Sequence, residues 1–351
     1  MIVDPGLRLW GSERALAATL PALAEVWPEV ILVTPPGAEL AAAVAADPAA
    51  HGPVRLVAAP IGNLHRRGVM ARLGAGAALA ALVARHRPAR LYLNQAGLAR
   101  LLRPVAQLAG LPLVVHVRLR EDAARVAVLR GTPRAPLHVI HVSESLAAEA
   151  GAPAGADSTT TAYDPYPPDP PPPPLPAVAP LVAVGRLAQG KGQHLLIEAL
   201  RSAPLAGTQA DLFGAGVAGD DYALRLAAQA RGLPVRLLGF RADVHACLPA
   251  YRFLVSTSDY EPLGRTVMEA WHAGLVPIVY GGSGGAAEMV AKSGAGLVYD
   301  RWDAEALAQA LRQALALPEG EHRRLVAAGR AWMVANLDLA GYRAALRGVL
   351  F

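Results

Sequence analysis

The sequence predicts an α/β protein made of two doubly wound domains, and three observations carry that expectation. Short apolar runs alternate with alanine-rich stretches of helical periodicity. The alternation halts at a proline tract and then resumes. The length, 351 residues, suits two domains rather than one. A hydrophobic content of 53% against 17% charged residues favours compact, helix-rich domains over disorder, since much of the apolar share is alanine.

In the first half, strands are expected at Ile2–Asp4, Val30–Thr34, Val54–Ala58, Arg90–Asn94, Leu113–Val117 and Leu137–Val142. Amphipathic stretches such as Ser12–Leu23 and Gly97–Ala109 separate them. Short apolar runs bounded by turn residues suit buried parallel strands, and their alternation with longer helices suits βαβ units. The tract Asp164-Pro-Tyr-Pro-Pro-Asp-Pro-Pro-Pro-Pro-Pro-Leu-Pro176 excludes helix interiors and central strands, so it is expected to be an extended, semi-rigid connector. Beyond it, strands are expected at Leu181–Gly185, Gln209–Phe213, Val235–Leu238, Phe253–Thr257, Val276–Tyr280 and Gly296–Tyr299. Helices are expected over Gln193–Arg201, Tyr222–Arg231, Arg265–Ala273, Ala304–Leu315 and Glu321–Asn336. The expected organisation is a domain over 1–165, a linker over 166–180, a second domain over 181–336, and a tail, 337–351, that packs back onto the first. Ligands of open parallel sheets bind beyond the carboxyl ends of the strands, which places the expected site in a central cleft that the two domains face.

Charge is unevenly distributed. Between His51 and Arg134 there are 14 arginines, no lysine and two acids, an excess of 12; within a total of +5 the rest of the chain carries −7. Such a stretch attracts anionic partners. Arg66, Arg67, Arg72, Arg85, Arg87 and Arg90 flank an alanine-leucine helix expected over Ala71–Ala84, a basic helix with an apolar face. Three readings stay open: an anionic membrane surface, an acidic acceptor near Arg118 and Arg120, and a plain solvated basic surface. Nucleic acid is not expected, because Tyr92 is the only aromatic residue of the stretch and base stacking needs more. Cys247 is the single cysteine, so no intrachain disulfide can form. Asp4 falls where the apolar core of a secretory signal would begin, and the apolar run Leu73–Ala84 is shorter than the ~20 residues that span a bilayer. The expected location is the cytoplasm, with peripheral contact to the inner face of the membrane as the variant reading.

The strongest local constellation is Ser256-Thr-Ser-Asp-Tyr-Glu-Pro-Leu-Gly-Arg-Thr-Val-Met-Glu-Ala-Trp271. A strand runs into a loop, and a helix starts near Gly264–Thr266. The first-turn amides have no intrahelical partner and lie at the positive end of the dipole, which makes an anion site. Glu261 precedes the helix and Glu269 sits about one turn into it; a carboxylate there can accept two hydroxyls of a sugar diol. Two glutamates at this spacing are, taken alone, more often solvated acids. In Val184-Gly-Arg-Leu-Ala-Gln-Gly-Lys-Gly192, Arg186 and Lys191 can offer a fork and a point charge to a diphosphate beside Gly185. The spacing matches neither GxxxxGK[ST] nor GxGxxG, so nucleoside triphosphate hydrolysis and NAD binding gain no support. Glycine loops follow two further strands, Phe213-Gly-Ala-Gly216 with Gly214, and Tyr280-Gly-Gly-Ser-Gly-Gly-Ala-Ala-Glu288.

In this order, from Val182 to about Leu315, GRL…KG, FGAG, VRLLGF, SDYEPLGRTVMEA and GGSGGAAE resemble the C-terminal domain of glycosyltransferase family 4, retaining enzymes of the GT-B fold, with Glu261 and Glu269 as the E-x7-E motif. The resemblance implies that Arg186 and Lys191 bind the donor diphosphate, and that the backbone of Leu263, Gly264, Arg265 and Thr266 caps it. It further implies that Glu269 holds the ribose, that Glu261 lies beside the transferred sugar, and that Gly239, Phe240 and Arg241 line the nucleobase pocket. The N-terminal half is a weaker match. Trp10-Gly-Ser-Glu13 resembles the family's GGxE loop with Trp10 in place of the first glycine, which makes Gly11 and Ser12, with Arg118, the acceptor-side candidates. Pro112–His116 resembles a strand ending in a histidine near the sugar, so His116 joins the candidate catalytic set, although Val117 stands where an acid is usual. His141-Val-Ser-Glu144 resembles a structural strand-to-loop segment. The implied reaction is transfer from a UDP- or GDP-sugar, as co-substrate, to a glycan, glycolipid or small-molecule hydroxyl, without a further cofactor. No D-x-D or His/Cys ligand cluster is present, so no metal is expected. A nucleotide-sugar epimerase of similar architecture and a non-catalytic sugar-nucleotide-binding protein are the alternatives.

Overall fold

The computed structural model describes every residue except 10, 65–67, 152–154, 167–180, 203–204, 206 and 351. Apart from Tyr166, the expected linker over 166–180 lies outside the described residues, as do Trp10, Arg66 and Arg67. The chain forms two compact units, Met1–Pro165 with Asp338–Phe351, and Tyr166–Leu337.

The first unit holds seven strands: β1 (Ile2–Val3), β2 (Val30–Thr34), β3 (Val54–Ala58), β4 (Leu91–Leu93), β5 (Leu113–Val117), β6 (Leu137–His141) and β7 (Ser158–Thr161). They form one sheet in the order β3-β2-β1-β4-β5-β6-β7, and all pairs are parallel. β2 and β5 are buried along their whole length, as parallel strands covered on both faces must be. β7 was not expected from the sequence. Its Ser-Thr-Thr-Thr carries no apolar signal, because an edge strand with exposed residues has no core to fill. The helix Leu339–Leu350 sends Tyr342, Leu346 and Val349, spaced for one helical face, into the same core as Leu16, Leu20, Leu32 and Val114.

The second unit repeats the scheme with β8 (Leu181–Val184), β9 (Ala210–Phe213), β10 (Val235–Gly239), β11 (Phe253–Ser256), β12 (Val276–Tyr280) and β13 (Leu297–Tyr299). The order β10-β9-β8-β11-β12-β13 is again all parallel. Each unit is therefore a Rossmann-like doubly wound sheet, and its strand order reverses between β1 and β4 in one and between β8 and β11 in the other. The α/β class expected from the sequence, that of the GT-B fold, is the observed one.

Two long-range contacts fix the helix Arg265–Ala273 in the second unit. Trp271 is fully buried and donates its indole N–H to the Ala295 carbonyl at 2.7 Å. Gly329, in the helix Glu319–Asn336, faces the Trp271 ring so closely that a Cβ would lie 2.4 Å from it. The local sequence starts this helix; the fit of Gly329 against Trp271 determines where it lies.

Candidate functional site

In the second unit, the three loops that leave β8, β11 and β12 interlock at the carboxyl edge of the sheet. The β8 loop carries Arg186 and a short turn, Gln189–Lys191, ending at Gly192 in the left-handed region. A Cβ on Gly192 would strike the Thr257 carbonyl at 2.2 Å, so only glycine lets the β8 and β11 loops come this close. Thr257 Oγ1 donates to the Lys191 carbonyl at 2.7 Å, and the Asp259 amide donates to the Gly190 carbonyl at 3.0 Å. Trp302 donates its indole N–H to the Thr257 carbonyl at 2.7 Å and closes the joint from the far side.

Lys191 Nζ forms an ion pair with Glu261, and both side chains are partly buried. Ser258 Oγ donates to the same Glu261 oxygen at 2.6 Å. The Glu261 backbone is pinned to the β12 loop, its amide donating to the Ser283 carbonyl at 2.8 Å and its carbonyl accepting from the Gly285 amide at 2.9 Å. Glu261 is thus held by all three loops. Arg186 is exposed, and its carbonyl accepts from Gln193 Nε2 at 2.8 Å.

Helices Gln193–Leu200, Arg265–Ala273 and Gly285–Ser293 begin at these loops, and each starts at a glycine, Gly192, Gly264 or Gly284, with no side-chain cap. Three helix N-termini on adjacent strands β8, β11 and β12 add their dipoles at the point of strand reversal. Arg186, Lys191 and Arg265 supply formal positive charge there. Arg265 lies over the Tyr166 ring, 5.7 Å from its centroid, and its buried Nη1 has no hydrogen-bond partner among the described residues. This arrangement can bind an anion with several oxygens. Leu263 and Gly264 are buried at the helix start, while Thr266 is half-buried. Glu269, a turn into the helix and largely buried, has His245 Nε2 at 3.9 Å.

The neighbouring β9 and β10 ends carry the remaining candidates. The Gly214 amide donates to the Gly239 carbonyl at 2.8 Å, which aligns the two loops, and a Cβ on Gly214 would lie 1.8 Å from the Gly185 carbonyl. Phe240 is 74% exposed, so its ring face is available for stacking. Arg241 is exposed and paired with Asp243 two residues on, at 2.7 Å.

In the first unit, the carboxyl ends of β1, β4 and β5 bring together Asp4, Asn94 and Arg118, with Ser12 and Glu13 from the start of the helix Gly11–Val26. Asn94 donates to Asp4 at 2.6 Å, and Gln95 donates to Ser12 Oγ at 3.2 Å and also to Glu13. Burial pushes the Asp4 carboxyl up, against the lowering effect of hydrogen bonds from Asn94 and the Gly6 amide.

Two of the sequence candidates are buried within the first unit. His116, expected near the transferred sugar, is fully buried. Its Nδ1 lies 2.8 Å from the Tyr92 hydroxyl and 3.2 Å from Arg118 Nη2. Arginine can only donate, so Nδ1 accepts and the neutral ring carries its proton on Nε2. Burial, followed by the charge of Arg118 and the neighbouring His141, holds this histidine well below its ordinary range. Arg118, expected on the acceptor side, is a buried strut. It bonds both Asp164 oxygens, at 2.5 and 2.7 Å, and the Asn94 carbonyl at 3.0 Å. Asp164 holds the guanidinium charged despite its burial. Both side chains end an apolar strand, and the strand's interior claims them. Of the acceptor-side candidates, Gly11 and Ser12 are half-buried at the helix start.

Sequence reasoning missed Ser258, Ser283, His245 and Trp302. Ser258 stands three residues before Glu261 and was within reach of a local reading; Trp302 comes from 45 residues away and has no local signal. Among the described residues, no group of three or more His, Cys, Asp or Glu is placed to hold a metal ion, and no helix is long and apolar enough to cross a membrane.

Residues 179–332 match the family model for glycosyl transferases group 1. Over 161 residues the chain is 36% identical to a lipopolysaccharide core biosynthesis glycosyltransferase, LpsE, of Rhizobium meliloti, covering 43% of this chain and 46% of that protein. It is 33% identical over 150 residues to a glycogen synthase of Variovorax paradoxus, covering 40% of this chain and 30% of that one. The chain thus matches less than half the length of these relatives. Among solved structures, a sucrose-phosphate synthase of Thermosynechococcus elongatus superposes with a TM-score of 0.78 at 17% identity, over 99% of this chain and 98% of its own. Anabaena HepE in complex with UDP-glucose does so with a TM-score of 0.76 at 20% identity, over 99% and 98%. At such identities these likenesses show the fold.

Proposed function

We propose that this protein is a retaining glycosyltransferase that moves a sugar from a nucleotide sugar to an acceptor hydroxyl, in the synthesis of a bacterial cell-surface polysaccharide or glycolipid. One observation carries the reading: Lys191 pairs with Glu261 where three helices begin at glycines beside the strand reversal, with Arg186 on the same β8 loop and Glu269 one turn into the helix Arg265–Ala273, in the unit that matches the glycosyl transferase model. A uridine nucleotide is the favoured donor base, on the similarity in fold to a protein bound to UDP-glucose.

In this reading the diphosphate lies on the amides of Gly264–Thr266 and against Arg186 and Lys191. Glu269 accepts the ribose hydroxyls, Phe240 stacks on the base, and Glu261 faces the sugar. Transfer breaks the bond from the anomeric carbon to the diphosphate oxygen and forms one to the acceptor oxygen on the same face. The departing phosphate oxygen takes the acceptor's proton. Negative charge grows on the diphosphate, and the fixed amides and cations stabilise that charge without reorganising. Incubation with UDP- and GDP-sugars and a panel of glycan and glycolipid acceptors, followed by NMR of the product's anomeric proton, tests the proposal. The expected product keeps the donor's anomeric configuration and forms at an unchanged rate in EDTA. An inverted product, or donor converted to its epimer with no transfer, would contradict it.

A further inference from the structure

The helix Val69–His86 of the first unit is apolar on both of its faces. Ala75, Leu79 and Val83 are buried. On the outer side, Val69, Met70, Leu73, Ala77, Ala80 and Ala84 are all exposed, and at 3.6 residues per turn they fall within about a third of the circumference. Val69, Met70 and Leu73 are 68%, 79% and 60% exposed. An exposed arc of this kind, with large apolar side chains on it, is normally covered. Arg72 and Arg85 flank the exposed arc on its two sides, and Arg87 caps the helix at its carboxyl end.

The charge of the surroundings identifies what covers this face. The helix contains no acid, and Arg72, Arg85 and Arg87 are exposed on it or at its carboxyl end; of the other arginines in 51–134, Arg103 and Arg118 are buried and Arg55, Arg120 and Arg125 are paired with acids, so it is the local cations that decide. A second copy seated here about a two-fold axis would bring like-charged arginines together. No described helix is long and apolar enough to cross a bilayer, but a cationic rim around an apolar face suits the plane of an anionic interface. We propose that Val69–His86 docks the protein on an anionic bilayer surface, with Val69, Met70 and Leu73 among the acyl chains and Arg72 and Arg85 at the headgroups. The inference stands independently of the donor chemistry.

Sedimentation of the full chain with phosphatidylcholine vesicles, with and without phosphatidylglycerol, tests it. Binding is expected only with phosphatidylglycerol, and it should weaken as salt rises. Met70→Glu with Leu73→Glu, both on the surface, should bind more than about tenfold more weakly while keeping the wild-type Tm. Arg72→Ala with Arg85→Ala should lose on the order of 30-fold, about fivefold per arginine. Binding indifferent to phosphatidylglycerol would overturn the proposal. So would undiminished binding by the glutamate variant, or a wild-type dimer in analytical ultracentrifugation that this variant dissolves.

Discussion

Lys191 is subject to two competing attractions at one atom: Glu261, which it meets in this structure, and the donor diphosphate, which it meets in the proposed reaction. Its removal should act on the step in which phosphate charge develops. Lys191→Ala is expected to lower kcat by roughly 10²–10³, or about 2.7–4 kcal/mol. Glu269→Gln should chiefly raise the donor KM, since in the proposed binding mode its ribose contact is the same before and during transfer. Steady-state kinetics of both variants decide, and wild-type constants in both would remove the assignment. The glutamate pair was legible in the sequence as a motif, but what holds Glu261 was only partly so. Ser258 lies beside it in the chain, whereas Trp302 reaches the same joint through tertiary folding. His116 shows the opposite limit: a histidine ending an apolar strand reads alike whether the strand's end is open or buried, and here it is buried. This burial has a pH signature. Its folded pKa lies well below the ordinary 6.5, so below that pH the unfolded ring binds a proton and the native ring does not. Stability is therefore lost as pH falls below about 6.5, at up to ~1.4 kcal/mol per pH unit. His141, held down by burial, adds the same sign, while the raised Asp4 works the other way. The difference between proteins is accordingly the measure: between pH 7.5 and 5.5, His116→Gln should lose less Tm than the wild type, and parallel curves would contradict the assignment.

At the scale of elements, the apolar parallel strands were legible because burial on both faces leaves a continuous hydrophobic run, as in Val30–Thr34 and Val276–Tyr280. β7 was not, because Ser158–Thr161 is an edge strand held by backbone pairing to β6 rather than by side chains. The helix Gly285–Ser293 was foreshadowed only by Glu288, the acid ending a glycine loop, as the start of a following helix, since its first turn is built from glycine and alanine. Glycine at the start of all three site helices gives up an N-cap side chain; the His194 amide is taken by the Tyr222 hydroxyl and the Gly285 amide by the Glu261 carbonyl, so the helix Arg265–Ala273 offers the best anion site. The position of one of these helices depends on a contact that no local pattern announces, Gly329 against Trp271. Gly329→Ala gains helix propensity but forces a methyl into a filled core. The expected result is a net loss of roughly 1–3 kcal/mol, read as a lower Tm, with the donor KM raised because the helix Arg265–Ala273 shifts. A Tm equal to or above the wild type would show that the ring can yield.

For the whole molecule, the same strand order recurs in both units, so the chain uses one architecture twice and differentiates it by what stands at the carboxyl edge. In the second unit that edge is cationic and lined with open amides; in the first it is a buried network of Asp4, Asn94, Arg118 and Asp164. Resemblance was strong over the second unit and weak over the first, and the family model likewise matches the C-terminal part, residues 179–332. The basic surplus of 51–134 belongs to the first unit and was legible as charge flanking an apolar helix at Ala71–Ala84; the structure adds which residues of that helix are exposed. The account's central claim is that the second unit holds a nucleoside diphosphate on Arg186, Lys191 and the helix amides. Isothermal titration calorimetry of the full chain with UDP and GDP tests it directly. The account predicts that one of them binds to the wild type and that Arg186→Ala with Lys191→Ala weakens it by at least roughly 100-fold, as expected for two charge-assisted contacts of about 1.5–3 kcal/mol each. Absence of binding by both nucleotides, or equal affinity in the double variant, would contradict it.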